Sequence, residues 1–376
     1  MKFFFFFLAL LGVFALLNMY ISKRLIHKLD VKQKTKKYLR LFLFINFLGI
    51  IAYIIGRYYI EYPSWLYFLV SLPIGVLFLF FCTAIIYDLF RLCINTIPVS
   101  QTRRNFFKKS LDVSSVAVAV SLNARAMYEA TFIEHEIVQV KINNLKKEYK
   151  IVQVSDIHIG GLIDEVFIKK IVKRINTMKP DLVVITGDLV DISLEKADAS
   201  LNEFQDLESK YGTYFIVGNH EYLHDIEKII LKVKSLGIRV LENENVYIGK
   251  EGQGFNLAGV YDVMGYRTKT FIPDIYKALK DKRESPTVLL AHQPRYIDEV
   301  KSGVDLMLSG HTHGGQIYPF RFLVKLVQPY ISGLHHHNED LQIYVNKGTG
   351  FWGPPMRLGA SSEITEIILS PNQILS

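Results

Sequence analysis

Aspartate, asparagine and histidine recur in a fixed order through the second half of the chain: Asp156-x-His158, Gly187-Asp188, Gly218-Asn219-His220-Glu221, His292 and Gly310-His311-x-His313. Hard oxygen donors mixed with imidazoles, and no cysteine among them, suit catalytic Mn²⁺, Fe²⁺ or Zn²⁺ better than a sulfur-bound structural zinc. Two cations roughly 3.5 to 4 Å apart need a shared carboxylate, and such a pair clamps the attacking and departing oxygens of an in-line displacement. Asp188 is the expected bridge.

Those side chains have to be carried to one place. IVQVSDIH (151–158), DLVVITGD (181–188), YFIVGNH (214–220), TVLLAH (287–292) and VDLMLSGH (304–311) are short β-rich apolar runs that each end in a polar residue, as buried strands do. Helix-like segments from Glu165 to Met178 and from about Asp225 to Leu236 alternate with them, the βαβ rhythm of an α/β fold with a largely parallel sheet. Ligands of such sheets gather at strand ends, so separate loops should deliver the motifs to one edge.

With these motifs in order, residues 145 to 370 resemble the calcineurin-like metallophosphoesterase superfamily, whose pattern D-x-H, GD, GNH, H and GHxH they match. HQPR at 292–295, GHTHGGQIYPF at 310–320 and VNKGTGFWGPPMRLGASSEIT at 345–365 are similar to a membrane-associated phosphodiesterase branch that also contains UDP-2,3-diacylglucosamine hydrolases. The resemblance implies a four-layer α-β-β-α sandwich of two mixed sheets. It assigns Asp156, His158, Asp188 and His313 to one of two divalent metal ions (Mn, Fe or Zn), and Asp188, Asn219, His292 and His311 to the other. His220 becomes the catalytic residue that assists the leaving group, after in-line attack by a metal-bridging hydroxide. The implied activity is hydrolysis of a phosphodiester or pyrophosphate bond in a phosphorylated small molecule or lipid. Its sharper form, UDP-2,3-diacylglucosamine hydrolysis in lipid A biosynthesis, requires a site facing the cytoplasm.

Single polar residues near the motifs carry weaker expectations. Asp191 reads as a helix cap or as a group orienting a metal ligand. Glu221 and His224 read as a solvated helix start. His335, His336 and His337, between Gly333 and Asn338, are expected in a hairpin loop. Arg295 and Arg357 could meet a phosphate bidentately, but loop arginines commonly face solvent, and both stay outside the expected site.

The first 98 residues hold three apolar stretches of membrane-spanning length, at about 3–22, 38–60 and 65–87. Apolar side chains on every face over more than twenty residues argue against buried core helices. Residues 1–128 carry 16 Lys or Arg against 4 Asp or Glu, and residues 129–376 carry 28 against 32, so the net +8 is +12 with −4. The excess charge therefore belongs to juxtamembrane loops that obey the positive-inside rule, and nothing argues for nucleic acid. Lys23 to Lys37 holds seven basic residues. That loop should be cytoplasmic, with the amino terminus outside.

Residues 99–128 read as a basic linker in which Thr102-Arg103-Arg104-Asn105-Phe106-Phe107-Lys108 resembles a twin-arginine export signal. Leu111 to Leu122 forms its apolar segment, and Ala124-Arg125-Ala126 ends it. Cleavage after Ala126, or retention as a fourth span, would place the 129–376 domain on the outer face of a bacterial cytoplasmic membrane as part of a multi-pass protein. Cys82 and Cys93 leave the 129–376 half without any disulfide. A rival reading is a non-catalytic membrane scaffold with a phosphoesterase-like binding domain. Against it, every motif residue is present, and the three spans lack the ionisable groups that mark transport paths.

Overall fold

The computed structural model describes residues 2–372. It divides into two compact units, one running to Glu129 with Gly353–Leu358 added, the other comprising Ala130–Trp352 and the chain from Gly359 onward.

The first unit is helical: α1 (Lys2–Arg24), α2 (Gln33–Tyr58), α3 (Ser64–Thr96) and α4 (Gln101–Glu129). The first three are long and apolar enough to cross a membrane. α3 runs on to Thr96, past the expected end at residue 87. α4 joins in one helix the basic and apolar parts that the sequence separates into a linker. Ile21, Leu25, Leu43, Ile50, Leu77, Ala84 and Tyr87 form the buried centre of the unit. Gly49 is small for a reason of packing: a Cβ there would lie 2.6 Å from Pro73 Cγ, so a side chain would drive α2 away from α3.

Two carboxylates fasten these helices. Asp88 on α3 pairs with Arg24 and, at 2.7 Å, with Lys28. Asp112 on α4 is buried and accepts hydrogen bonds from Tyr87 Oη (2.7 Å), Arg91 Nη1 (3.1 Å) and the Asp30 backbone N–H (2.7 Å). Both carboxylates lie beyond the three apolar stretches, in the extension of α3 and in α4, so neither falls inside an expected span.

The second unit contains two six-stranded sheets. The first has the order β1 (Ile133–Ile142), β12 (Ser362–Pro371), β2 (Tyr149–Val154), β3 (Leu182–Thr186), β4 (Thr213–Ile216), β5 (Arg239–Val240). The second has the order β10 (Gly333–His336), β11 (Gln342–Val345), β9 (Leu306–Ser309), β8 (Thr287–Leu290), β7 (Phe255–Gly259), β6 (Glu244–Ile248). Both are mixed: β2, β3, β4 and β5 run parallel, as do β7, β8, β9 and β11, while β12 with β2, β6 with β7 and β10 with β11 are antiparallel.

Strand periodicity builds the layers, because successive side chains leave opposite faces. Leu182 and Val184 of β3 join Val288 and Leu290 of β8 and Leu306 and Leu308 of β9 in the core between the sheets. Val183 and Ile185 point the other way, to the helices α5 (Glu165–Met178), α6 (Leu194–Asn202) and α7 (Ile226–Ser235), where Ile168, Ile171, Val172, Leu201, Ile229 and Val233 are buried. Leu289 and Met307 face a thinner outer layer of short turns bearing Ile275, Ala278, Tyr296 and Ile297. The four-layer order is therefore present, with one outer layer built of true helices and the other of single turns. Helix α5 has the expected bounds, opened by Asp164, whose side chain accepts the Phe167 N–H (3.0 Å).

Candidate metal centre

Each expected site residue lies just beyond the carboxyl end of a strand: Asp156 and His158 after β2, Asp188 after β3, Asn219 and His220 after β4, His292 after β8, His311 and His313 after β9. The strands end because the backbone turns abruptly. Asp156 (φ 50°), His158 (56°), Asp188 (51°), His311 (70°) and His313 (49°) all adopt left-handed conformations that branched or bulky residues avoid. Five of the seven expected ligands are strained in this way, and strain of this kind gathers where surrounding structure enforces a functional geometry.

The motif glycines admit the neighbouring loops. A Cβ on Gly187 would stand 2.6 Å from His292 Nδ1 and 2.8 Å from the Gly218 backbone. A Cβ on Gly310 would fall on the Ser155 and Asp156 side chains.

Among the described residues three groups of side chains could hold an ion: one joins His158 to Asp191 and His220, and the other two consist of expected ligands. Asp156, His158 and His313 present ligand atoms within 4.8 Å of one another, as do Asp188, His292 and His311. Asp188 links these two groups: its Oδ2 lies 3.9 Å from His158 Nε2 and 3.2 Å from His292 Nε2. His158 Nε2 is 3.0 Å from His313 Nε2, and Asn219 Oδ1 is 3.2 Å from His292 Nε2. His292 Nδ1 donates to the Thr186 carbonyl (2.7 Å), which fixes the ring with Nε2 facing Asp188. Two buried imidazole nitrogens this close, flanked by carboxylates, either share a proton or ligate a common cation. The donor set fits a divalent ion in each of these two groups, shared at Asp188.

The electrostatics of the ion-free site point the same way. Burial pushes the His292 imidazole down, but Asp188 and Asp156 outweigh it and hold its pKa well above the usual value. Burial likewise opposes ionisation of Asp188, yet His292 and His220 keep it well below the usual carboxylate range. His311 moves the other way, to about 3, through burial and its cationic neighbours. The cluster thus holds protons on some imidazoles and refuses them on others, a distribution that cations would replace.

His220 contacts Asp191 through Nδ1, and Asp191 Oδ1 also lies 3.3 Å from His158 Nδ1. Burial lowers the His220 pKa, but Asp188 and the hydrogen bond to Asp191 raise it to about 9. The Trp352 indole packs edge-on to His220, with ring centroids 6.1 Å apart. Of the two readings of Asp191, orientation of the histidines holds, since Ser193 rather than Asp191 precedes α6 at its cap.

Three sequence readings are overturned. Glu221 is not a solvated helix start but fully buried, and its carboxylate accepts the backbone N–H groups of Asp188 (3.1 Å), Leu189 (2.8 Å), Val190 (3.1 Å) and Gly218 (2.6 Å). It holds together the two turns that carry Asp188 and Asn219. Its spacing from Gly218 gives the missed signal, because a glutamate reaching back three residues to a backbone N–H is the arrangement of a capping box. Arg357 is fully buried rather than solvent-facing, and its backbone N–H donates to the Ala126 carbonyl (2.8 Å). His335 and His336 belong to strand β10 and only His337 to the turn, so the expected loop begins two residues late. Arg295 is exposed, as expected.

Asp262, beyond β7, was not anticipated at all. It is buried, its Oδ1 accepts from Met264 N–H (2.7 Å) and Gln293 Nε2 (3.0 Å), and burial pushes its carboxyl up to about 6.

The chain is similar to known metallophosphoesterases. A family model described as calcineurin-like phosphoesterase matches residues 149–315. A Helicobacter pylori protein named an uncharacterized metallophosphoesterase is 40% identical over 370 residues, 97% of this chain and 98% of that one. A Campylobacter jejuni metallophosphoesterase is 35% identical over 359 residues, 94% of each chain. A Bos taurus transmembrane protein with metallophosphoesterase domain is 35% identical over 291 residues, 72% of this chain and 64% of that one.

Proposed function

Since the chain belongs to the calcineurin-like phosphoesterase family, we propose that it is a membrane-bound, metal-dependent hydrolase of a phosphodiester or pyrophosphate bond in a lipid-linked or other headgroup phosphate. The observation that carries this reading is the convergence of the Asp156, His158, His313 group and the Asp188, His292, His311 group about one aspartate. Asp156, His158, Asp188 and His313 would hold one cation, and Asp188, Asn219, His292 and His311 the other. When bound, such a pair supplies Lewis acidity at phosphoryl oxygens and lowers the pKa of water to the neutral range.

The remaining roles belong to the chain's own groups. Asp191 fixes the His220 ring through Nδ1, which leaves Nε2 as the atom that gives a proton to the departing oxygen. In the ion-free fold Asp188 and Asp191 hold that proton on the imidazole, and with cations on Asp188 the contact with Asp191 would remain to hold it. Glu221 holds the Asp188 and Asn219 turns in register, so the donors stand ready before substrate arrives. The three apolar helices favour an amphiphilic substrate, because a tethered site works at high local concentration of headgroups.

The Arg103-Arg104 segment supports an extracytoplasmic site in a bacterial cytoplasmic membrane. An alkaline phosphatase fused after Ser376 should then be active; an inactive fusion beside a fluorescent cytoplasmic reporter reverses that assignment. The catalytic reading is tested with bis-p-nitrophenyl phosphate and Mn²⁺. Turnover should be metal-dependent and abolished by Asp188→Asn, whereas a metal-replete protein without turnover of any phosphate ester would favour the scaffold reading.

A further inference from the structure

The segment following the last motif is built as a pinned loop with an apolar outer surface. Its base is fixed by polar contacts. Thr312 Oγ1 donates to the Ile331 carbonyl (2.5 Å), and the buried Gln328 side chain accepts the Arg295 N–H (3.0 Å) while its Nε2 reaches Gln293 Oε1 (3.3 Å). Gln316 and Trp352 exchange hydrogen bonds, Nε2 to the Trp352 carbonyl (2.8 Å) and Trp352 N–H to Oε1 (3.0 Å). Between these anchors the chain turns its large apolar residues outward. Leu326 is 79% exposed and Val327 65%, with Phe322, Leu323 and Trp352 also at least half exposed.

A rigid base with apolar groups facing out cannot be explained by the domain's own core, and an exposed patch of this kind marks a contact with another apolar phase. Charge identifies which. Residues 306–338 contain no Asp or Glu, while Arg321 and Lys325 sit within the patch itself. Aromatic and aliphatic side chains interleaved with basic ones are the composition of a surface that rests at the headgroup and acyl boundary of an anionic bilayer. A chain carrying three helices long and apolar enough to cross a membrane is never far from such a surface.

We infer that the 318–327 loop, with Trp352, is a lipid-binding surface that inserts into an anionic bilayer beside the His220 and His313 side of the metal centre. It lies in the same unit as that centre and begins one turn after His313, so lipid engagement would present headgroups to the site edge-on. The inference is separable from the hydrolytic reading, since the surface can engage lipid whether or not the site turns over.

Trp65 and Trp352 are the two tryptophans of the chain, so Trp65→Phe makes Trp352 a single reporter. The full-length Trp65→Phe protein is placed in nanodiscs of phosphatidylglycerol and phosphatidylcholine, with and without bromine on the acyl chains. Brominated lipid should quench Trp352 emission at least twofold. Adding Leu326→Glu and Val327→Glu should abolish the quenching while leaving turnover of bis-p-nitrophenyl phosphate in detergent within twofold. Arg321→Glu with Lys325→Glu should reduce quenching in anionic discs to the level of phosphatidylcholine discs. Trp352 emission indifferent to bromine and fully open to aqueous iodide in the discs overturns the inference. Shielding of Trp352 in detergent that rises with protein concentration also overturns it, by assigning the patch to a second copy of the chain. Absence of turnover of any phosphate ester or pyrophosphate by the metal-replete protein, with quenching intact, would sink the hydrolytic reading alone.

Discussion

Buried carboxylates serve opposite ends in the two units. In the helical unit Asp88 faces Arg24 and Lys28, and Asp112 faces Arg91 and the Tyr87 hydroxyl. Those partners carry fixed charge or a hydroxyl proton, so each carboxylate is neutralised within the fold and ties one helix to another. In the α/β unit Asp188 faces His158, His220 and His292, and Asp156 faces His313. Imidazoles titrate near neutrality and ligate metals as neutral bases, so the same burial there creates an exchangeable site. The partner's chemistry, more than the depth of burial, separates a fastener from a centre.

Mutation can break that contrast, and the expected effects fall in sequence. Asp188→Asn should lower phosphodiester turnover by about 10³-fold or more, because the carboxylate shared by both groups becomes a neutral amide. Steady-state kinetics with bis-p-nitrophenyl phosphate measures it, and turnover within tenfold of the parent would dissolve the distinction. Asp191→Asn should cost about 10- to 100-fold, mostly in kcat, since it misorients His220 and His158 without removing a ligand. Glu221→Gln should destabilise the domain by about 3 kcal/mol, because an amide oxygen cannot satisfy the four backbone N–H groups that the carboxylate gathers. Denaturant unfolding of the detergent-solubilised chain would read it. Asp112→Asn should cost about 1–2 kcal/mol of helical stability and leave turnover of a soluble substrate unchanged, as suits a fastener.

A pH effect sharpens the same comparison. His220 rises from its ordinary 6.5 to about 9 in the ion-free fold. A raised pKa adds stability that is fully present below 6.5 and is lost as pH climbs through 9. The melting temperature of the metal-stripped chain should therefore fall between those values, and titration with Mn²⁺ in that window should release protons. A melting temperature flat across the window would show that His220 carries no extra proton.

The sequence made the centre far more legible than its supports. Asp156, Asp188 and His292 could be found because each closes an apolar run, and local periodicity alone defines such runs. Helix α5 was equally plain in its bounds, Glu165 to Met178, although its cap, Asp164, was not read from the sequence. The three apolar stretches announced themselves by composition, but their ends did not, since helix α3 continues to Thr96 through charged residues that hydropathy excludes. Parallel pairing of β1 with β12 joins residues more than two hundred positions apart, and no local pattern encodes it. Glu221 leaves a local trace in its spacing from Gly218, whereas Asp262 and Arg357 look like solvent residues in the chain and are buried because distant segments close over them. Their burial is a tertiary fact.

Metal stoichiometry tests the central claim most directly. The full-length chain, purified in detergent and equilibrated with Mn²⁺, should hold two ions per polypeptide by elemental analysis, and the Asp188→Asn chain should hold fewer than one. A single ion that survives Asp188→Asn unchanged, or none in the parent chain, would contradict a centre joined through that aspartate.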